Sequence, residues 1–251
     1  MQNIQPVLTD IIGVIGERDF ASNVAGALCR FAKFDLAAVI VHRSRNQSSI
    51  LFENFNAIGH RDGLETYARK TYRFNPMLYG VRNRAVRARD YRRLSAGFPE
   101  SMRPHLLQAP QEELGFRTVG WPERQEEIGL YFPGWGGMVE IGLYRERGRR
   151  SAPIHVLRAL SDLADPIGAA FGRHRVLGAT QRQVAAEARS IRTSALTARE
   201  DQICELLLMG CSSDAIALRL SLSRHTVKDH RKNIFRKLAI TSLAELFALA
   251  R

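Results

Sequence analysis

The chain has 251 residues, 45% of them hydrophobic and 25% charged, with a formal net charge of +12 and a pI near 10.3. That length suits one large or two modest domains, and the apolar share is ample for a packed core. The excess of 37 basic over 25 acidic residues implies an anionic partner, either nucleic acid or a membrane surface.

No apolar run reaches the ~18 residues a membrane-spanning helix needs. The start, MQNIQPVLTD, has no basic region followed by an apolar core, so no signal peptide is expected. The expected location is therefore the cytoplasm, with no membrane partner. The cysteines, Cys29, Cys204 and Cys211, are odd in number and lack metal-ligand spacing. Reduced thiols among apolar neighbours are expected, with no metal and no cofactor.

Residues 4 to 34 read as helical, with Val7, Leu8, Ile11, Ile12, Ile15, Val24, Leu28 and Phe31 at helical intervals. LAAVIVHR, Leu36 to Arg43, is a β-branched run bounded by charge and reads as a buried strand; ILFENF, 50 to 55, is its partner. Gly63 to Arg84 reads as helical, broken before Pro76 because the residue preceding a proline avoids the helical region. A second strand group begins at Trp121 and Pro122. EIGLYFP, 127 to 133, and MVEIGLYR, 138 to 145, flank Gly134-Trp135-Gly136-Gly137 as a hairpin. Ala152 to about Arg192 is again helical, with Pro166 as a break or kink. Together these elements describe an α+β domain over residues 1 to 175, a sheet with flanking helices covering a face, which commonly encloses a ligand cavity. Residues 176 to 192 are expected to form a linker.

Arg69 to Arg93 contains nine basic residues and only one acidic residue, Asp90. It reads either as a solvated face, the favoured choice, or as a surface for an acidic ligand, partner or second DNA segment, since the guanidinium fork suits carboxylate and phosphate. Charge is spread over both parts. Residues 1 to 189 hold 27 basic and 19 acidic residues, +8; residues 190 to 251 hold 10 and 6, +4.

Beyond the linker, Ile203, Leu206 and Leu207 make the stripe of one helix, and Gly210 stands where a left-handed helix end is tolerated. Ser212 or Ser213 starts a short helix with Ala215, Ile216, Ala217 and Leu220. Ser221-Leu222-Ser223 is a turn, and Ser223 can cap the next helix. That helix, TVKDHRKNIFRKL from Thr226 to Leu238, has Val227, Ile234 and Leu238 on one side. Its other side carries Lys228, Arg231, Lys232, Arg236 and Lys237. A basic amphipathic helix also suits a membrane or a partner; the helix and tight turn before it point to a helix-turn-helix, about 212 to 231. The last helix starts with the capping-box pattern Ser242-x-x-Glu245 and is expected to expose Leu243, Leu246, Phe247 and Leu249.

The run LTAREDQICELLLMGCSSDAIALRLSLSRHTVKDHRKNIFRKL resembles the DNA-binding domain of the LuxR family, also called GerE- or FixJ/NarL-type. The resemblance rests on Leu196, Thr197, Arg199, Glu200, Gly210, Ile216, Ala217, Leu220, Ser223, Thr226, Val227, Lys228, His230, Lys237 and Leu238. It implies an all-α four-helix DNA-binding domain over 193 to 251. By the resemblance, Lys228, Asp229 and Lys232 read base edges of double-stranded DNA, while Thr226 and Lys237 touch the backbone. Ser223, Arg224, His225 and Arg231 complete the expected DNA-binding set. Asp229 can alternatively pair with a neighbouring basic side chain. The family uses the last helix for dimer contacts, so a homodimer on an inverted repeat is implied, with RNA polymerase as a further partner if the protein activates.

YARKTYRFNPM, Tyr67 to Met77, is similar to the family's autoinducer-binding signature, as is EELGFRTVGWP, 112 to 122. The resemblance implies ligand-binding roles for Tyr67, Tyr72, Asn75, Tyr91, Trp121 and Trp135; as residues they read equally well as core aromatics. Asn75 replaces the family's acidic residue before proline, and Gly63 replaces a tryptophan. These departures argue against acyl-homoserine lactone and leave another small molecule, or none. No nucleophile elbow, phosphate loop or dinucleotide fingerprint is present, so an enzyme is not expected. The expectation is a sequence-specific transcriptional regulator under small-molecule, quorum-sensing-like control. The alternative is a constitutive regulator whose N-terminal domain serves dimerisation.

Overall fold

The computed structural model describes residues 3–44, 47–80, 83–92, 97–148 and 151–249, without the side chains of 181–195 and 248–249. The chain divides into two compact units, Met1–Arg175 and Val176–Arg251.

The first unit opens with α1 (Gln5–Gly13) and α2 (Phe20–Ala32), then β1 (Leu36–Ser44) and β2 (Gln47–Glu53). The stretch expected as one broken helix is four short pieces: α3 (Arg61–Thr66), a π-helical turn over Tyr67–Thr71, a 3-10 turn over Tyr72–Phe74, and α4 (Pro76–Gly80). Its end is a strand rather than a helix, β3 (Arg84–Arg87). Two further short strands, β4 (Leu106–Gln108) and β5 (Phe116–Thr118), precede the hairpin of β6 (Gln125–Gly134) and β7 (Gly137–Glu146). The unit closes with α5 (Ile154–Asp162) and the start of α6 (Ala164–Ala195). Pro166 lies in the first turn of α6, where its missing N–H costs nothing, so it marks a helix start rather than a kink. The stretch expected as a linker is helical, within α6.

Five strands form one antiparallel sheet in the order β2-β1-β7-β6-β3; β4 and β5 pair separately. The hairpin register ends on Gly134 opposite Gly137. The two residues between them, Trp135 and Gly136, have φ of 53° and 80°, the left-handed pair that matches strand twist.

Alternation along the strands sends two different residue sets to the two faces. Val39 and Val41, Ile128, Leu130 and Phe132, and Val139, Ile141 and Leu143 join a core with α1, α2, α5 and α6. Ala38 and Ile40, Tyr131 and Tyr144 turn the other way, to Phe55, Leu64, Tyr67, Tyr72 and Met77. Both faces of the sheet are therefore covered, not one.

The second unit contains α7 (Ala198–Leu208), α8 (Ser213–Leu220), α9 (Arg224–Lys237) and α10 (Leu243–Leu249). Its core is Leu196, Ile203, Cys204, Leu207, Ile216, Ala217, Val227, Ile234 and Leu246. Gly210 has the left-handed φ of 79° expected after α7. Leu246 is buried and Leu243 partly buried against this core, which corrects the expectation that both are exposed; Phe247 is exposed, and the Leu249 side chain lies outside the described residues. The reason is helical spacing: Leu243 and Leu246 are three apart, so one inward stripe takes both. No helix among the described residues is long and apolar enough to cross a membrane.

Candidate nucleic-acid interface and ligand cavity

In the second unit, side-chain caps fix where each helix starts. Ser212 Oγ accepts the Ala215 N–H at 3.2 Å, and Ser223 Oγ accepts the Thr226 N–H at 3.0 Å. Between α8 and α9 the chain turns at Ser221, in the left-handed region at φ 53°. Thr197 and Glu200 form a reciprocal capping box on α7. The Ser242 hydroxyl caps the Glu245 N–H, while the Glu245 carboxylate reaches one residue further back, to the Thr241 N–H and hydroxyl.

The Val227 and Ile234 side chains hold α9 to the core, leaving Lys228, Asp229, Lys232 and Arg236 exposed. Lys228 and Lys232 are one turn apart, on one surface with Asp229 beside them. In the first turn, Arg224 pairs with Asp214 at 3.1 Å and His225 lies 3.6 Å from Asp229. Both pairs are largely exposed and weak in water. Thr226 is partly buried, its hydroxyl 2.8 Å from that of Ser223. Arg231 turns along the domain surface, donating to Ser213 Oγ at 3.1 Å with its guanidinium 5.8 Å from the Phe235 ring centre. Lys237 is engaged inside the domain: its ammonium donates to Glu200 Oε2 at 2.7 Å. That bond, with those from Thr197, holds the Glu200 pKa down to about 2 against the raising effect of burial.

The first unit holds a partly open cavity of about 60 Å³ on the β6–β7 face. That is room for roughly four waters, or for a small ligand group. Tyr67, Asn75, Trp121, Glu127 and Tyr144 line it, with the segment from Glu112 to Thr118 as a wall. Two glycines lie on the same face of the hairpin. Gly129 and Gly142 are opposite each other across the hairpin. A Cβ on either would fall 2.4 Å from the Tyr131 ring or 2.1 Å from the Tyr144 hydroxyl. Without side chains there, both tyrosine rings lie down over the sheet.

Register also pairs Tyr131 with Glu140 and Glu127 with Tyr144. Glu140 is buried and accepts from the Tyr67 hydroxyl at 2.8 Å and from Asn75 Nδ2 at 3.3 Å, with His42 Nε2 at 2.6 Å. Asn75 Nδ2 lies 2.7 Å from the Tyr67 oxygen and 3.2 Å from that of Tyr131. Glu127 accepts one side-chain bond, from the Tyr144 hydroxyl at 3.4 Å. Burial, then the charges of Glu140 and Glu113, push its pKa well above the usual carboxylate range. Burial, with the charges of Glu140 and Glu127, pushes the hydroxyl pKa values of Tyr67, Tyr131 and Tyr144 well above the usual tyrosine range.

Of the six residues expected to bind a ligand, Tyr67, Asn75 and Trp121 line this cavity and the other three do not. Tyr72 is buried with its hydroxyl on the Ser44 carbonyl and its ring against His42. Tyr91 packs at the edge, its hydroxyl accepting from Arg84 at 3.2 Å. Trp135 is in the hairpin turn and stacks on His174 among the residues of the opposite face. Gly63, standing where a tryptophan was expected, lies against the backbone of Gly120: a Cβ there would sit 2.3 Å from its carbonyl. The cavity's indole comes instead from the next residue, Trp121, whose ring centre is 5.3 Å from Tyr67 and 5.4 Å from Tyr144. Sequence reasoning missed Glu127, Glu140, Tyr131 and Tyr144. The signal was present: Glu127 and Tyr131, and Glu140 and Tyr144, fall on the parity opposite to Ile128 and Leu130 and to Val139, Ile141 and Leu143.

Residues 194–250 match the family model described as bacterial regulatory proteins, luxR family. The chain is 32% identical over 149 residues to a putative HTH-type transcriptional regulator in the exeN 3' region of Aeromonas salmonicida, covering 53% of this chain and 74% of that protein. Among solved structures, Escherichia coli SdiA aligns at 13% identity over 99% of this chain and 97% of that chain, with a TM-score of 0.37. SdiA in complex with octanoyl-rac-glycerol aligns at 16% identity over 100% and 88%, with a TM-score of 0.27.

Proposed function

The chain belongs to the luxR family of bacterial regulatory proteins and is a DNA-binding transcriptional regulator rather than an enzyme; from that premise we propose that a small molecule in the N-terminal cavity controls it. The observation that carries this reading is the cavity itself. It puts buried carboxylates and hydroxyls beside open space, where a fold without a ligand would place apolar side chains. Occupancy would act by favouring one arrangement of a dimer or of the two domains, since a ligand shifts an equilibrium only by binding one state better. A two-fold homodimer would match an inverted-repeat operator.

At the DNA, the exposed face of α9 supports Lys228 and Lys232 as donors to guanine O6 and N7, with Asp229 accepting from cytosine N4. Arg224, His225 and the Ser223–Thr226 hydroxyls at the start of the helix suit phosphate contact. Lys237 is left out, because its ammonium holds Glu200.

Two experiments test the reading. Lys232→Ala should relax preference at one base pair of the operator, a loss of about 1–3 kcal/mol of discrimination, measured by binding-site selection; an unaltered preference removes its reading role. The full chain should melt at a higher temperature with extract of the producing cells or with an acyl-homoserine lactone, because ligand that binds only the folded state stabilises it. A melting temperature that neither moves sinks ligand control and leaves a constitutive regulator.

A further inference from the structure

The charged side chains that line the cavity are mostly acidic. Glu112, Glu113, Glu127 and Gln125 contribute acceptors, and Arg117 is the only basic side chain among the lining residues. Arg117 is drawn to Glu123 at 2.6 Å and lies 4.0 Å from Glu112, while its buried Nε has no hydrogen-bond partner among the described residues. Glu112 has Arg147 as a second cation at 3.7 Å, and Glu113 accepts the Glu127 N–H at 3.0 Å. Among the described residues Glu127 has nothing comparable. Its neighbours in charge, Glu140 and Glu113, are both acidic, and its single side-chain bond is the 3.4 Å contact from a tyrosine. Beside it, the buried Oε1 of Gln125 has no hydrogen-bond partner.

A half-buried carboxyl with only acidic charged neighbours is costly as an anion, and an unpaired buried acceptor is costly in any state. A ligand that brings donors and positive charge would relieve both. The third feature is aromatic. The rings of Tyr67, Trp121 and Tyr144 stand at 53–78° to one another or to Phe55, with centres 4.8 to 5.4 Å apart, so faces and edges surround the space beside Glu127. Ring faces attract cations, tryptophan most of all, and more strongly where water is excluded.

We propose that the cavity binds a small organic cation, a primary ammonium compound held between the Glu127 carboxylate and the rings of Tyr67, Trp121 and Tyr144. This rests on the reading that the N-terminal domain takes a small molecule, and it specifies the class. Charge-assisted hydrogen bonding to Glu127 and Gln125 sets recognition of the head group. A neutral ligand of the same shape leaves Glu127 unanswered and binds less well.

The test is a charge series on one skeleton: phenethylamine, 2-phenylethanol and phenylacetate, titrated into the full chain carrying Trp135→Phe, so that Trp121 is the only emitting indole. The amine should alter Trp121 emission and raise the melting temperature, with the alcohol and the acid at least about tenfold weaker. In the same background, Glu127→Gln should weaken the amine about tenfold and leave the alcohol where it was. Equal affinity for amine and alcohol overturns the proposal, as does an amine affinity that Glu127→Gln leaves unchanged, or no response to the amine. The comparison of ligands on the unsubstituted Glu127 chain decides the matter even if the glutamine variant folds poorly. Failure here differs from failure of ligand control: a chain silent to phenethylamine but stabilised by cell extract or by a lactone remains a sensor, of another ligand class.

Discussion

Glu200 joins three parts of the DNA-binding domain through one carboxylate. It completes the capping box on α7, accepting the Thr197 N–H at 2.8 Å and the hydroxyl at 2.9 Å, and it takes the Lys237 ammonium at 2.7 Å from the end of α9. Half of this was legible, since Thr197-x-x-Glu200 is the capping-box spacing. The Lys237 bond was not, because it joins residues 37 apart that meet only in the folded domain. The bond competes with an expected role: a lysine assigned to the DNA backbone also pairs within the protein. The consequence is a pH dependence with a definite sign. The Glu200 pKa is lowered from 4.5 in a free chain to about 2. A depressed carboxylate stabilises the fold fully above the unfolded value and loses that contribution as pH falls through the folded one. The domain should therefore weaken from about pH 4.5 downward, towards about pH 2. Glu200→Gln should lower stability near neutral pH by about 2 kcal/mol, having lost a charged bond and a cap. It should also flatten that acid limb. Urea unfolding from about pH 7 to about pH 3 measures both, and an acid limb that the variant keeps would mean another carboxylate causes it.

At the scale of elements, legibility followed length and repetition. α9 could be read because its stripe repeats, and the β6–β7 hairpin because alternation and a glycine-rich turn agree. β3, β4 and β5 have four, three and three residues, too short for a period of two to stand out. Gly63 to Arg84 was read as helical and broken at proline, yet the chain changes type at Tyr67 and again at Tyr72, and ends in a strand. The π turn there carries the Tyr67 hydroxyl to Glu140, and such turns recur where a side chain must be re-aimed. Trp135 was misplaced for a simpler reason. A residue in a turn belongs to neither face by parity, and packing against Phe171 and His174 took it to the aliphatic side. The cavity was half legible for a related reason. Its aromatic residues stand out in a sequence, whereas Glu127 and Glu140 read as ordinary strand charges until both strands are placed in register. Then every second residue from Glu127 to Tyr131, and from Glu140 to Tyr144, points to the cavity side.

For the whole molecule, the open matter is what the charge of +12 is for. The basic stretch from Arg69 onward shows where part of it goes. Arg69 lies 3.6 Å from Glu65, Lys70 is 2.8 Å from His105, Arg84 donates to Tyr91, Arg87 to the Ala152 carbonyl at 2.5 Å, Arg89 to Ser151 at 2.6 Å, and Arg92 to the Pro110 carbonyl. Arg82 and Arg93 lie outside the described residues. A guanidinium committed to backbone carbonyls is fastening segments together, and a phosphate would have to displace those bonds. This favours a structural role over a second DNA surface, and salt dependence separates the two. Each phosphate neutralised contributes about 0.9 to the slope of log affinity against log salt. If Arg84, Arg87 and Arg89 met phosphates, reversing all three to glutamate would reduce that slope by about 2.7, three times the single contribution. We expect instead an unchanged slope, because the proposed contacts lie on α9, together with a melting temperature lower by several degrees as the Ala152 and Ser151 fastenings are lost. A reduced slope in the reversed variant, with no loss of thermal stability, would place DNA on the first unit as well.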